Sequence, residues 1–122
     1  PFQQQKDANA FLKAEGIVHE AWAPFAEGQK GIFTNSVLTE IAASHCKSVA
    51  AVILRWLNQR GVVVIPKSIR ADRIRENFNI FDFRLSDAEM AAISALDEKK
   101  SPIYDDMDLA TVRAIGTYKI HD

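Results

Sequence analysis

VVVIPKSIR, residues 62–70, joins a run of β-branched residues to a proline and then turns polar and cationic at once. A continuous apolar run, rather than an alternating one, predicts a strand buried on both faces, as in a parallel sheet covered by helices. Just upstream, Ser48 is placed to cap a helix in which Val49, Val52, Ile53, Trp56 and Leu57 recur at helical spacing, and Gly61 closes it. Downstream, ADRIRENF (71–78) predicts a short helix. LSDAEMAAISALD (85–97) carries a full helix-start signal, with Ser86 and Glu89 at capping-box spacing and Leu85 and Met90 at staple spacing. Met90, Ile93 and Leu96 give that helix its buried side.

Towards the amino end, PFQQQKDANAFLKAEG (1–16) reads as a loop entering a helix that ends at Gly16, with Ala10, Phe11 and Ala14 on one face. IVHEAWAPF (17–25) predicts a short strand through Ile17, Val18, Ala21 and Trp22, stopped by Pro24. AEGQKG (26–31) is a loop, after which Asn35 or Ser36 caps a helix bearing Leu38, Ile41 and Ala42. From Lys99 to Asp122 the chain is a polar tail with Pro102, Gly116 and only a weak helical pattern from Leu109 to Ile115. Strands that alternate with helices imply right-handed crossovers and a parallel sheet. Two strands leave both edges of such a sheet unpaired and cannot bury VVVI on both faces. The chain is therefore expected either to be part of a larger α/β molecule or to take its remaining strands from a partner.

With 122 residues, 48% of them hydrophobic and 25% charged, the composition is that of one soluble globular domain. A formal net charge of −1 argues against a nucleic-acid binder. No apolar run approaches the roughly 20 residues of a bilayer span. Cys46 is the single cysteine, which excludes an internal disulfide and a multi-cysteine metal site and fits a reducing, cytoplasmic compartment. The chain opens at Pro1 without a methionine, as expected of a fragment.

Lys67 and Ser68 stand at the carboxyl end of their strand, where parallel α/β architectures bind ligands. A helix start follows, and Lys67, Arg70, Arg73 and Arg75 crowd the region. Arg73 and Asn77 share a helix face, with Glu76 beside them. A lysine, a hydroxyl, a helix amino terminus and an arginine together make a pocket for a phosphate monoester. The same residues equally describe a strand that simply ends in solvent before an arginine-rich amphipathic helix. Physical chemistry alone leaves both readings open, and with them the identity of any anion.

The whole segment VVVIPKSIRADRIRENFNIFDFRLSDAEMAAISALD (62–97) resembles the last barrel strand and following helices of the aldo-keto reductases, including the IPKS signature and the R-I-x-E-N that follows it. LRWLNQRG (54–61) resembles the family's penultimate helix, EAWAPFAEG (20–28) its seventh strand and nucleotide-covering loop, and PFQQQ (1–5) the segment after the sixth strand. YDDMDLATVRAI (104–115) is similar to the tail of bacterial 2,5-diketo-gluconate reductase-like members. The resemblance implies the carboxyl-terminal portion of a (β/α)8 TIM barrel over residues 1–122, incomplete as it stands, with residues 99–122 as tail. It implies NADPH/NADP as cofactor and a small carbonyl compound as substrate of the intact enzyme. Lys67 and Arg73 match the cations on the 2′-phosphate, Ser68 a hydroxyl donor to the same region, and Glu76 and Asn77 the pair on the adenine. Trp22 matches the aromatic residue that stacks on the nicotinamide, and the loop from Pro24 through Phe25 and Ala26 to Gly28 matches the one over the pyrophosphate. Ala23, Ala26 and Glu27 stand where relatives more often carry Gly, Gly and Gln or Ser.

The family's catalytic tyrosine, with its lysine, aspartate and histidine, matches nothing in this chain. Tyr104, Tyr118, His19, His45 and His121 fall at no catalytic position, and Asp105, Asp106 and Asp108 read as a solvated tail rather than a metal site. His45 and Cys46 are read as helix neighbours pointing apart, a poor metal pair. The chain by itself is expected to be inactive, its partner being the missing amino-terminal half of the barrel or another chain that covers the exposed sheet. The other reading is a non-catalytic nucleotide- or anion-binding half-barrel that self-associates.

Overall fold

Three side chains start the helices that build the core. Asn35 accepts the Leu38 amide at 3.2 Å and Ser48 accepts the Ala51 amide at 3.1 Å. Ser86 and Glu89 close the expected capping box, the Ser86 amide donating to Glu89 Oε2 at 2.7 Å. The computed structural model describes residues 1–99 and 109–117. Its order is α1 (Lys6–Ala14), β1 (His19–Ala21), short 3-10 turns at Ala26–Gly28 and Ile32–Thr34, α2 (Ser36–Ser44), α3 (Val49–Gln59), β2 (Val62–Val64), α4 (Ala71–Phe78), α5 (Asp87–Ser94) and α6 (Leu109–Thr117). Pro102, Tyr104, Asp105, Asp106, Asp108, Tyr118 and His121 lie outside the described residues.

β1 and β2 are parallel neighbours, with His19 opposite Val62, Glu20 opposite Val63 and Ala21 opposite Val64. Strand parity divides the pair into two faces. Ala21, Val62 and Val64 pack into a core with Leu38, Ile41, Val52, Ile53, Trp56, Leu85 and Ile93. Glu20 and Val63 stand on the other face, with Trp22 and Ile65 just past the strand ends, and among the described residues no helix covers it. The expected burial of VVVI on both faces is thus corrected: Val62 is buried, but Val63 is 44% and Ile65 62% exposed. The physical reason is the one the two-strand count anticipates, since the described helices cover the sheet from one side. The strand expected from Ile17 to Trp22 also shortens to His19–Ala21, because only these residues find partners on β2.

α3 is buried more widely than its stripe predicts. Ala51 and Leu54, off the stripe, form a second cluster with Ile80, while Val52, Ile53, Trp56 and Leu57 serve the main one. α1 and α4 are the reverse case: amphipathic by pattern, each holds no buried residue, and Phe11 and Ile74 remain exposed. Gln4 ties the amino-terminal segment to α5, its Nε2 donating to the Ile93 carbonyl at 2.9 Å, while Arg60 Nη2 donates to the Gln4 carbonyl at 2.7 Å.

His45 and Cys46 are not helix neighbours as read from sequence. His45 caps the end of α2, and Cys46 follows at φ 52, turning the chain towards α3. His45 Nε2 lies 2.8 Å from Glu89 Oε1, and its ring packs on Phe83, joining α2 to α5 in the structural role expected of it. Burial acts to raise the Glu89 carboxyl, but hydrogen bonds from the Ser86 backbone and side chain and from His45 outweigh it and hold the group below the usual carboxylate range. A carboxyl lowered on folding stabilises the fold above its unfolded pKa, and that stability is lost as pH falls through the lowered value. Urea midpoints are therefore expected to fall on acidification below about pH 4.3, the ordinary glutamate value. Glu89→Gln should reduce the slope there; an unchanged slope would show that the capping box carries none of the acid sensitivity.

Candidate functional site

The carboxyl ends of β1 and β2 open on a cleft of about 400 Å³. Lys67 and Ser68 enter it from the segment after β2, and Arg73, Glu76 and Asn77 from one face of α4. Phe25 and Phe33 supply an aromatic wall, their centroids 5.8 Å apart and tilted by 47°. Ser48, Val49 and Ala50, the cap and first turn of α3, complete the lining.

Charge pairing separates the cations that crowd this region. Arg70 donates to both oxygens of Asp72, at 3.2 and 2.6 Å. That bond raises the Arg70 guanidinium further and lowers the Asp72 carboxyl. Among the described residues, Lys67 and Arg73 form no ion pair, whereas Lys6, Lys30, Lys47 and Arg70 each meet a carboxylate. Arg70 is accordingly removed from the cationic cluster expected from sequence.

The start of α4 also differs from expectation. Ser68 Oγ accepts the Arg70 amide at 3.1 Å, and Asp72 in the first turn carries a carboxylate that Arg70 already holds. An acidic residue thus sits in the first turn of α4, and the side chains of Lys67 and Arg73 carry the positive charge of the cleft.

The remaining expected residues sit elsewhere. Trp22, 69% exposed just past the end of β1, lines a neighbouring cleft with Pro24, Ala26 and Trp56. Among the residues singled out in the loop, only Phe25 reaches the cleft of Lys67; Gly28 lines neither. The loop is held in left-handed backbone at Ala23 (φ 49), Ala26 (φ 49) and Glu27 (φ 53), as well as at Gly28. Left-handed backbone brings a Cβ close to the following carbonyl, so these are positions where glycine is at ease and alanine is strained. Ala23→Gly is expected to stabilise the chain by about 0.5–1 kcal/mol, the relieved strain exceeding the entropy glycine adds to the unfolded state. A lowered thermal midpoint in the variant would overturn this.

Phe33 and the first turn of α3 are the lining residues that sequence reasoning did not single out. A signal for α3 was present: a helix that ends where β2 begins must start near the strand's far end. Phe33 has no such signal, since its place depends on the path of the loop.

A parallel α/β unit with a cationic cleft at the carboxyl ends of its strands is the frame these observations define. The aldo/keto reductase family profile matches residues 1–98, and the chain belongs to that family. It is 50% identical over 109 residues to the glyoxal reductase of Bacillus subtilis, covering 88% of this chain and 39% of that protein. An aldo-keto reductase from a Medee basin deep-sea metagenome library superposes with a TM-score of 0.81 at 36% identity, over 87% of this chain and 39% of that one. A Bombyx mori aldo-keto reductase crystallised in complex with NADP superposes with a TM-score of 0.79 at 32% identity, over 93% and 38% of the two chains. The chain thus spans roughly two-fifths of the length of these relatives. Among the described residues, no single helix is long and apolar enough to cross a membrane, and no cluster of His, Cys, Asp and Glu is arranged to hold a metal ion.

Proposed function

We propose that this chain is the nucleotide-holding, carboxyl-terminal portion of an NADPH-dependent reductase of small carbonyl compounds, built as a (β/α)8 barrel and working in the cytoplasm. The observation that carries the reading is the cleft in which Lys67 and Arg73, neither in an ion pair among the described residues, converge beside an aromatic pair. These residues fit a phosphorylated nucleotide: unpaired cations suit a phosphate monoester, and paired rings suit a planar base. Lys67, Arg73 and Ser68 hold the 2′-phosphate in this reading, while Glu76 and Asn77 take the edge of the adenine. Phe25 and Phe33 exclude water from one side of it. Trp22, exposed just past the end of β1, supports the nicotinamide ring, and the loop from Pro24 to Gly28 reaches over the pyrophosphate through its backbone.

NADPH, when bound, supplies the hydride for carbonyl reduction. This chain's part is to bind and orient. The proton donor belongs to the part of the barrel that matches nothing here, so the 122-residue chain is expected to bind NADPH without oxidising it. NADPH fluorescence titration followed by an aldehyde assay tests both halves of the reading. Saturable binding without turnover is the expected result; steady NADPH oxidation by the purified chain, free of other reductases, would overturn the division of roles.

A further inference from the structure

Among the described residues, the uncovered face of the β1–β2 ladder is apolar except at Glu20, with Gln3, Gln5 and Arg60 at its rim and Arg60 held by the Gln4 carbonyl. Val63, Ile65 and Trp22 present hydrocarbon and ring surface, and Glu20, paired in register with Val63, places a carboxylate among them. Helices cover the opposite face through Ala21, Val62 and Val64, so in a closed barrel the Glu20 face is the one turned to the lumen. A barrel lumen is packed with side chains rather than filled with water, and a lone carboxylate there carries a desolvation cost of several kcal/mol unless a cation meets it.

Strand number and charge together decide what covers this face. The two strands of the described residues would require four copies to reach the eight of a closed barrel, and four copies would bring four Glu20 carboxylates towards one axis. Like charges at that separation in a water-poor lumen oppose closure. We propose that the face is completed by a six-stranded amino-terminal segment of the same family, and that this segment presents an inward lysine or arginine that pairs with Glu20. The inference rests on the barrel reading above and adds to it a partner chemistry and a residue that recognises it. Glu20 acts here as a specificity residue for assembly: it favours the segment that carries the cation and disfavours self-closure.

The test places this chain in the Bacillus subtilis glyoxal reductase in exchange for the segment it matches, and compares Glu20 with the isosteric Glu20→Gln. Removing one partner of a buried pair leaves the cation uncompensated, so the unfolding equilibrium constant of the Glu20→Gln chimera is expected to rise by about 100-fold or more. The same substitution in the 122-residue chain alone should leave its urea midpoint unchanged, because Glu20 is exposed there. Equal stability of the two chimeras would overturn the proposal. So would failure of the Glu20 chimera to fold, or a closed oligomer of this chain alone whose assembly Glu20→Gln does not strengthen. NADPH titration of the chimera reads the nucleotide assignment independently, since Glu20 does not line the cleft of Lys67 and Arg73.

Discussion

Lys67→Ala is expected to weaken NADPH binding by about 10- to 100-fold and to leave NADH binding nearly unchanged. A hydrogen bond to a charged group contributes about 1.5–3 kcal/mol, and each 1.4 kcal/mol is tenfold in affinity. The cofactors differ only in the 2′-phosphate, so a cation that serves this group affects one and not the other. Arg73→Ala should behave similarly. Arg70→Ala is the informative control: Arg70 is close in sequence but already occupied by Asp72, so its loss should change NADPH affinity by less than about twofold. This pattern separates the two readings that the sequence leaves open for the end of the strand. A merely solvated strand end predicts three equal and small effects. A 2′-phosphate site predicts two large effects and one small. Undiminished NADPH binding in Lys67→Ala would remove the assignment.

How much of this was legible in advance follows from the range of each interaction. The caps Asn35, Ser48 and Ser86 are written within a few residues of the amides they accept, and all three appear where their spacing puts them. The cleft is nearly as local, because Lys67, Ser68, Arg73, Glu76 and Asn77 come from one strand exit and the helix after it. What could not be read was pairing that competes at short range. Arg70 looks equivalent to Arg73 as a letter, and only the placement of Asp72 separates them. Nor could the left-handed loop be derived from Ala23 and Ala26, whose chemistry gives no reason to expect it. Resemblance to glycine-bearing relatives held the hint. Trp22 and Lys67 follow the ends of different strands and line different clefts, a separation that depends on long-range packing and not on local spacing.

Ile93→Ala is expected to cost about 3 kcal/mol of stability in the 122-residue chain, while Ile74→Ala costs less than about 0.5 kcal/mol. The two isoleucines are alike in sequence, each on the apolar side of a short amphipathic helix. Ile93 is fully buried and is the one buried residue of α5, so the docking of that helix on α2 and α3 depends on it. Its carbonyl also receives the Gln4 amide, so loosening α5 releases the amino-terminal segment as well. Ile74 stands on a helix with no buried residue and is 52% exposed, which leaves little hydrocarbon to return to water. Chemical denaturation of both variants measures the contrast directly. In a completed barrel the ranking should narrow, because a covering segment would bury apolar surface that α4 now exposes. A large cost for Ile74→Ala in this chain alone would mean that α4 is already covered in solution, and thus that copies of the chain associate through it. That result would revive closure by self-association, the assembly that the lone carboxylate of Glu20 argues against.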